Sequence, residues 1–222
     1  MFDDLRGAWG ARKPKQTPTY VDPYSRTEFF VHYDGGSPVN VADHAGCLAR
    51  VKQDQAFHMD SNGWSDIGYN GLVCQHGRAI EGRGIDYVGA HCPDHNTTGY
   101  GFQFMVGGAQ QPTDAAKARM RRLYDDATAH SKRTLAKRGH RDGFATACPG
   151  DQIYAWVKAG MPAATKEWDE MATKDEIAAV VAAAIAGVPQ SVWLHGYDPK
   201  TNTGTSAWTL LAGANAQVAT LS

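Results

Sequence analysis

The run Tyr100 to Val106 (Tyr-Gly-Phe-Gln-Phe-Met-Val) constrains the fold more than any other stretch of the chain. Its apolar density is that of a strand buried on both faces, so a sheet must lie at the centre with cover on either side. A second apolar run, Phe29-Phe30-Val31, continues through His32 into Tyr33-Asp34-Gly35-Gly36. It reads as a strand from Thr27 to Tyr33 whose last side chains reach the rim of the sheet, where sites are commonly built.

Helical periodicity supplies the cover. Val41, Ala45, Leu48, Val51 and Ala56 recur at near-helical spacing, with Asn40 as the expected N-cap and Asn62-Gly63 as the stop. Tyr69 to Gln75 and Ala79 to Glu81 read as two short strands around His76-Gly77. Thr113 to Arg133 is a long helix with Met120, Leu123 and Ala127 inward, Leu135 to Arg138 a short strand, and Asp151 to Lys158 a last helix stopped by Gly160 and Pro162. Met1 to Ser25, with Pro14, Pro18 and Pro23, reads as an extended arm anchored by burial of Trp9 and Tyr20. The expected class is α/β, a mixed central β-sheet flanked by helices with a small C-terminal extension. The expected boundaries are 1–162 for the main domain, 163–172 for a linker, and 173–222 for the extension, which opens on the capping-box signature Thr173-Lys174-Asp175-Glu176.

A net charge of -1 over 222 residues argues against a nucleic-acid partner or a polybasic membrane anchor. No apolar stretch approaches the ~20 residues needed to span a bilayer. The opening residues lack the basic and apolar regions of a signal peptide, so the expected starting location is the cytoplasm. Cys47, Cys74, Cys92 and Cys148 are irregularly spaced and suggest no disulfide framework.

Gly139 to Asp151 concentrates the chemistry. It places the imidazole of His140, the hydroxyl of Thr146 and the thiol of Cys148 in one turn-rich segment. Nitrogen and sulfur ligands suit zinc, but a structural site needs four protein donors, and this segment offers two. His32, at the end of its strand, is the best third. Two histidines and a cysteine leave a fourth position open to water, the pattern of a catalytic zinc site. His91, Cys92 and His95 do not make a second set, because Pro93 constrains their loop and a fourth ligand is wanting.

Trp9-Gly10-Ala11-Arg12, Asp66-Ile67-Gly68-Tyr69-Asn70, Glu81-Gly82-Arg83-Gly84, Gly89-Ala90-His91 and the Gly139 to Asp151 segment occur in this order. From about Trp9 to Pro162 the chain resembles the zinc-dependent N-acetylmuramoyl-L-alanine amidases of the peptidoglycan recognition protein and phage-lysozyme type. The resemblance implies His32, His140 and Cys148 as zinc ligands. It implies that Tyr69 orients the attacking water or assists its deprotonation, and that the Thr146 hydroxyl donates to the oxyanion. Thr146 follows the catalytic recognition proteins, since phage-lysozyme relatives carry lysine there. The resemblance also places His91 beside the substrate cleft and gives Arg83, Gly84 and Ile85 to sensing of the stem peptide. Gly84 fits the diaminopimelate-type pattern, whereas Ile85 departs from its tryptophan. The implied partner is bacterial peptidoglycan, and the implied setting is a phage endolysin held in the host cytoplasm until it reaches the wall. The rival readings are a non-catalytic peptidoglycan-binding module, a bacterial autolysin and a muropeptide-recycling amidase.

Overall fold

The computed structural model describes residues 1–162. The expected linker and extension, with the Thr173 capping box, lie outside the described residues.

Among the described residues five strands form one mixed sheet: β1 (Glu28–Gly35), β2 (Gly71–Val73), β3 (Ala79–Glu81), β4 (Gly99–Gly107) and β5 (Ala136–Gly139), in the order β3-β2-β4-β1-β5. β4 occupies the centre and is buried along its whole length, as the density of Tyr100 to Val106 predicts. It pairs in parallel with β1 and β2, β1 pairs in parallel with β5, and only β2 with β3 is antiparallel.

Alternation along the strands divides the core in two. Phe29, Val31, Phe102 and Phe104 face α2 (Asp114–Ser131) and α3 (Asp151–Lys158), packing on Met120, Leu123, Ala127, Ile153 and Val157. On the opposite face Leu72, Ile80 and Met105 meet Val51 of α1 (His44–Ala56), with Trp9 closing that layer. The inward face of α2 was legible from its spacing; on α1 only Val51 of the expected residues is fully buried, beside Cys47, Asp54 and Gln55, and Ala45 is exposed. The start of α1 also differs: the cap is Asp43, whose Oδ1 accepts from Gly46 N at 2.8 Å, rather than Asn40. Both residue types cap well, and tertiary packing chose between them.

The arm is anchored as expected by Trp9, which is buried and donates from Nε1 to Glu81 O at 2.9 Å. Tyr20 is a correction. It is 63% exposed, and the arm is held there by backbone pairing instead, Val21 N to Asp86 O and Val88 N to Thr19 O.

Candidate metal centre and cleft

Strand register assembles the centre. Phe30 and His32 project from the face of β1 opposite Phe29 and Val31. In the parallel pairing of β1 with β5, Val31 is opposite Gly139, so the next residues along each strand, His32 and His140, become neighbours. Their rings lie 4.5 Å apart between centroids. The turn after β5 then returns Cys148: Arg141 N donates to Cys148 O at 3.1 Å, and Asp142 braces the turn by accepting from Gly139 N and from the Tyr154 hydroxyl. Gly139 is required at the strand end, because a Cβ there would sit 2.6 Å from the Tyr154 ring.

Donor atoms of His32, His140 and Cys148 lie within 4.8 Å of one another. His32 is fully buried, and burial with the neighbouring His91 and His140 holds its pKa well below the ordinary histidine value. Burial likewise lowers that of His140, so both rings are neutral and carry lone pairs at neutral pH.

The hydrogen bonds decide which lone pair His32 presents. His91 Nε2 lies 3.3 Å from Gly99 O, and a carbonyl only accepts, so the His91 proton is on Nε2. Its Nδ1 is then an acceptor, and His32 Nε2, 3.2 Å away, donates to it. What remains free is His32 Nδ1, which faces Cys148 Sγ at 3.9 Å. Fixing a ligand imidazole through its other ring N–H is characteristic of metal sites; the usual acceptor is a carboxylate, carbonyl or water, and here it is a second imidazole. His140 Nε2 is buried and finds no hydrogen-bond partner among the described residues, a deficit that a cation can satisfy. Burial pushes the Cys148 thiol up to about 12, so the sulfur surrenders its proton only when a cation takes the proton's place. The three residues fit a tetrahedral ion of zinc type with one position left over.

Tyr69, just ahead of β2, packs its ring 5.2 Å from that of His32. It also lines a cleft of about 490 Å³ whose other walls include Asp34, Arg50, Asp54, Phe57 and His58. Burial raises the Tyr69 pKa far above that of a free phenol, so its hydroxyl stays protonated. Thr146 Oγ1 accepts from Cys148 N at 3.2 Å, which leaves the hydroxyl hydrogen available.

The remaining expected contacts turn inward. His91 is 5% exposed and stands behind His32 instead of beside the cleft. Arg83 donates to Ile67 O and Val88 O, bracing the loop before Tyr69, and borders a smaller hollow under the arm with Pro14 and Pro18. Gly84 N donates to Asn70 O, and Ile85 packs against the Phe29 side of the core. None of these three lines the cleft at Tyr69. His95 bonds Glu28 at 2.8 Å, so it does not join His91 and Cys92. The cleft walls Arg50, Asp54 and His58 escaped the sequence reading, since charged residues on a helix carry no local sign of what they face.

The chain is 35% identical over 161 residues to the N-acetylmuramoyl-L-alanine amidase of Sus scrofa, covering 69% of this chain and 26% of that protein. It is 31% identical over 156 residues to peptidoglycan-recognition protein SC2 of Drosophila simulans, covering 69% of this chain and 83% of that one. The chain belongs to the N-acetylmuramoyl-L-alanine amidase and peptidoglycan recognition protein family. This amidase-family chain thus spans only about a quarter of the length of the pig and human amidases it matches. A solved family structure, the ectodomain complex of peptidoglycan recognition proteins LCa and LCx with tracheal cytotoxin bound, superposes with a TM-score of 0.65 at 32% identity, over 71% of this chain and 95% of that one. Recognition protein LE in complex with tracheal cytotoxin, a monomeric diaminopimelic acid-type peptidoglycan, gives 0.64 at 27% identity, over 70% and 92%. No model of a known protein family matches the chain.

Proposed function

We propose that this chain is a zinc-dependent N-acetylmuramoyl-L-alanine amidase that hydrolyses the amide joining the lactyl group of N-acetylmuramic acid to L-alanine in peptidoglycan. The observation that carries this reading is the convergence of His32, His140 and Cys148 beside Tyr69. Zinc held by those three residues would polarise the scissile carbonyl and lower the pKa of a water from ~15.7 to ~7.

The chain's own groups then have defined tasks. His32 presents Nδ1 because His91 occupies Nε2. Tyr69, protonated at neutral pH, orients the attacking water by donating a hydrogen bond instead of removing its proton. Thr146 donates its free hydroxyl hydrogen to the oxyanion, where charge develops. Substrate lies along the cleft that Tyr69 lines.

A relative solved with diaminopimelic acid-type muropeptide supports walls of that type as substrate. The same proposal includes a lytic role as a phage endolysin, held in the host cytoplasm until it reaches the wall. Its support is the joining of an amidase region to a further segment at 163–222.

The test is release of L-alanine N-termini from purified diaminopimelate-type walls by wild type, zinc-stripped protein and Cys148→Ser. Release confined to wild type, and restored to the stripped protein by zinc, is expected. Tight wall binding without new N-termini would instead make the chain a recognition module. Lysis of bacteria expressing the chain once their membrane is permeabilised tests the endolysin role, and cells whose walls stay intact after permeabilisation would remove it.

A further inference from the structure

Some distance along α1 from the cleft, its first turn and the β2–β3 hairpin bring a second set of metal-type donors together. His44 is the first residue of α1 and Cys47 lies three residues on, so both share one helix face. Cys74 follows the end of β2, and His76 sits in the turn to β3. Donor atoms of His44, Cys47 and Cys74 lie within 4.8 Å of one another. Cys74 Sγ is 3.6 Å from His44 Nδ1, and Cys47 Sγ is 3.3 Å from His76 Nδ1.

Two buried thiols by themselves pack as small hydrophobes. Hydrophobic packing does not account for two imidazole nitrogens turned onto them. A tetrahedral ion with bonds of ~2.3 Å to sulfur and ~2.0–2.1 Å to nitrogen spaces a sulfur and a nitrogen donor about 3.6 Å apart. The two measured approaches are close to that edge. His44 is also braced from behind: its Nε2 meets Asp4 Oδ2 at 2.9 Å, and Arg78 holds the same carboxylate at 3.1 Å. Arg78 Nε lies 3.1 Å from the same His44 nitrogen but also donates to Asp4, so the nearer carboxylate takes the Nε2 proton and the Nδ1 lone pair faces the sulfurs, the arrangement that supports ligand histidines in zinc proteins. Both thiols are free and fully buried, whereas His76 is exposed on its turn and closes the set from the solvent side.

We propose that His44, Cys47, Cys74 and His76 form a second zinc site, structural in kind, with two sulfur and two nitrogen donors. Four protein donors leave no open position, so the site holds structure and does no hydrolysis. It ties the N-terminus of α1 to the β2–β3 hairpin and, through Asp4, to the arm that pairs with β3. α1 carries Arg50 and Asp54 of the cleft wall, so the clamp sets the cleft's shape. The two thiol protons leave to solvent as the ion binds.

The test is zinc content of the full chain after exhaustive dialysis, which does not depend on whether the protein cleaves peptidoglycan. About two equivalents are expected for wild type. About one is expected for Cys148→Ser, and about one for Cys47→Ser or Cys74→Ser. Because the latter variants can fail to fold, the deciding sample is Cys148→Ser loaded with cobalt(II), in which both proposed thiolates remain. A thiolate-to-cobalt charge-transfer band with tetrahedral visible absorption is expected. Zinc-free Cys148→Ser without that band would overturn the site. So would a Cys47–Cys74 disulfide in the purified protein, seen as a mass lower by two hydrogens that reduction restores.

Discussion

His32 Nε2 and His91 Nδ1 lie 3.2 Å apart in a buried pair, and the far side of His91 is tied to Gly99 O. This chain of hydrogen bonds sets the tautomer of His32, and the site has no other means of doing so among the described residues. Replacing His91 by Phe keeps the ring volume and removes the acceptor. Metal affinity at the His32 centre should fall roughly 10- to 100-fold while the fold persists. Competition for zinc with a chromophoric chelator measures it, and unchanged affinity would deny His91 a positioning role.

Gly101 makes that pair possible. A Cβ there would fall 2.2 Å from His91 Cγ, so Gly101→Ala must displace the imidazole. Overpacking of this kind costs about 1–3 kcal/mol. Urea denaturation reads the loss, and metal affinity should drop with it as it does for His91→Phe.

Tyr69→Phe removes one hydroxyl from the edge of the cleft and none of the metal donors. The expected result is full zinc content with wall hydrolysis slowed roughly 10²- to 10⁴-fold. Thr146→Val should also slow turnover, and its missing acceptor for Cys148 N should cost about 1 kcal/mol of stability. Thr146→Ser should restore most of both. Restored stability without restored rate would confine Thr146 to the turn.

Asp54 links the cleft to pH. Burial, and then the charge of Asp34, raise its pKa to about 6 against the opposing pull of Arg50, and its Oδ2 is buried without a partner among the described residues. The folded state therefore holds a proton that the unfolded chain releases near pH 3.8. The associated stability is present below that value, is lost as pH climbs toward 6, and amounts to about 3 kcal/mol at most. Asp54→Asn cannot titrate. Its Tm should gain on that of wild type between pH 4 and pH 7, and a constant difference would show that Asp54 ionises normally.

Arg26 is buried completely and donates to Asn96 O, Gly99 O and Tyr87 O, with its guanidinium 4.7 Å over the Tyr100 ring. These bonds fasten the loop that carries His91. Arg26→Met removes one donor from each of these three carbonyls, which keep Gly89 N, His91 Nε2 and Asn70 Nδ2 respectively, and should cost about 1–3 kcal/mol in chemical denaturation. A loss below about 1 kcal/mol would mean that water replaces the guanidinium.

The sequence alone determined the parts whose cause is local. Apolar runs placed the strands β1 and β4, periodicity marked the apolar face of α2, and Gly160 stopped α3 where expected. His32, His140 and Cys148 were named together from the sequence, because nitrogen and sulfur side chains beside turns are visible in a single chain, and the fold brings their donor atoms within 4.8 Å. Tertiary structure decided everything that depends on register between distant segments. The opposition of Val31 and Gly139 joins His32 to His140, and the approach of β4 to the 89–99 loop pushes His91 behind His32. Arg83 and Gly84 are held by the backbone of Ile67, Val88 and Asn70, and Ile85 by apolar packing on the Phe29 side of the core, partners that no local pattern announces. His44, Cys47, Cys74 and His76 meet for the same reason, since helix and hairpin come together only when both bury their apolar sides on one sheet. Local spacing tells which face a side chain is on, and burial of those faces against one another selects its neighbours.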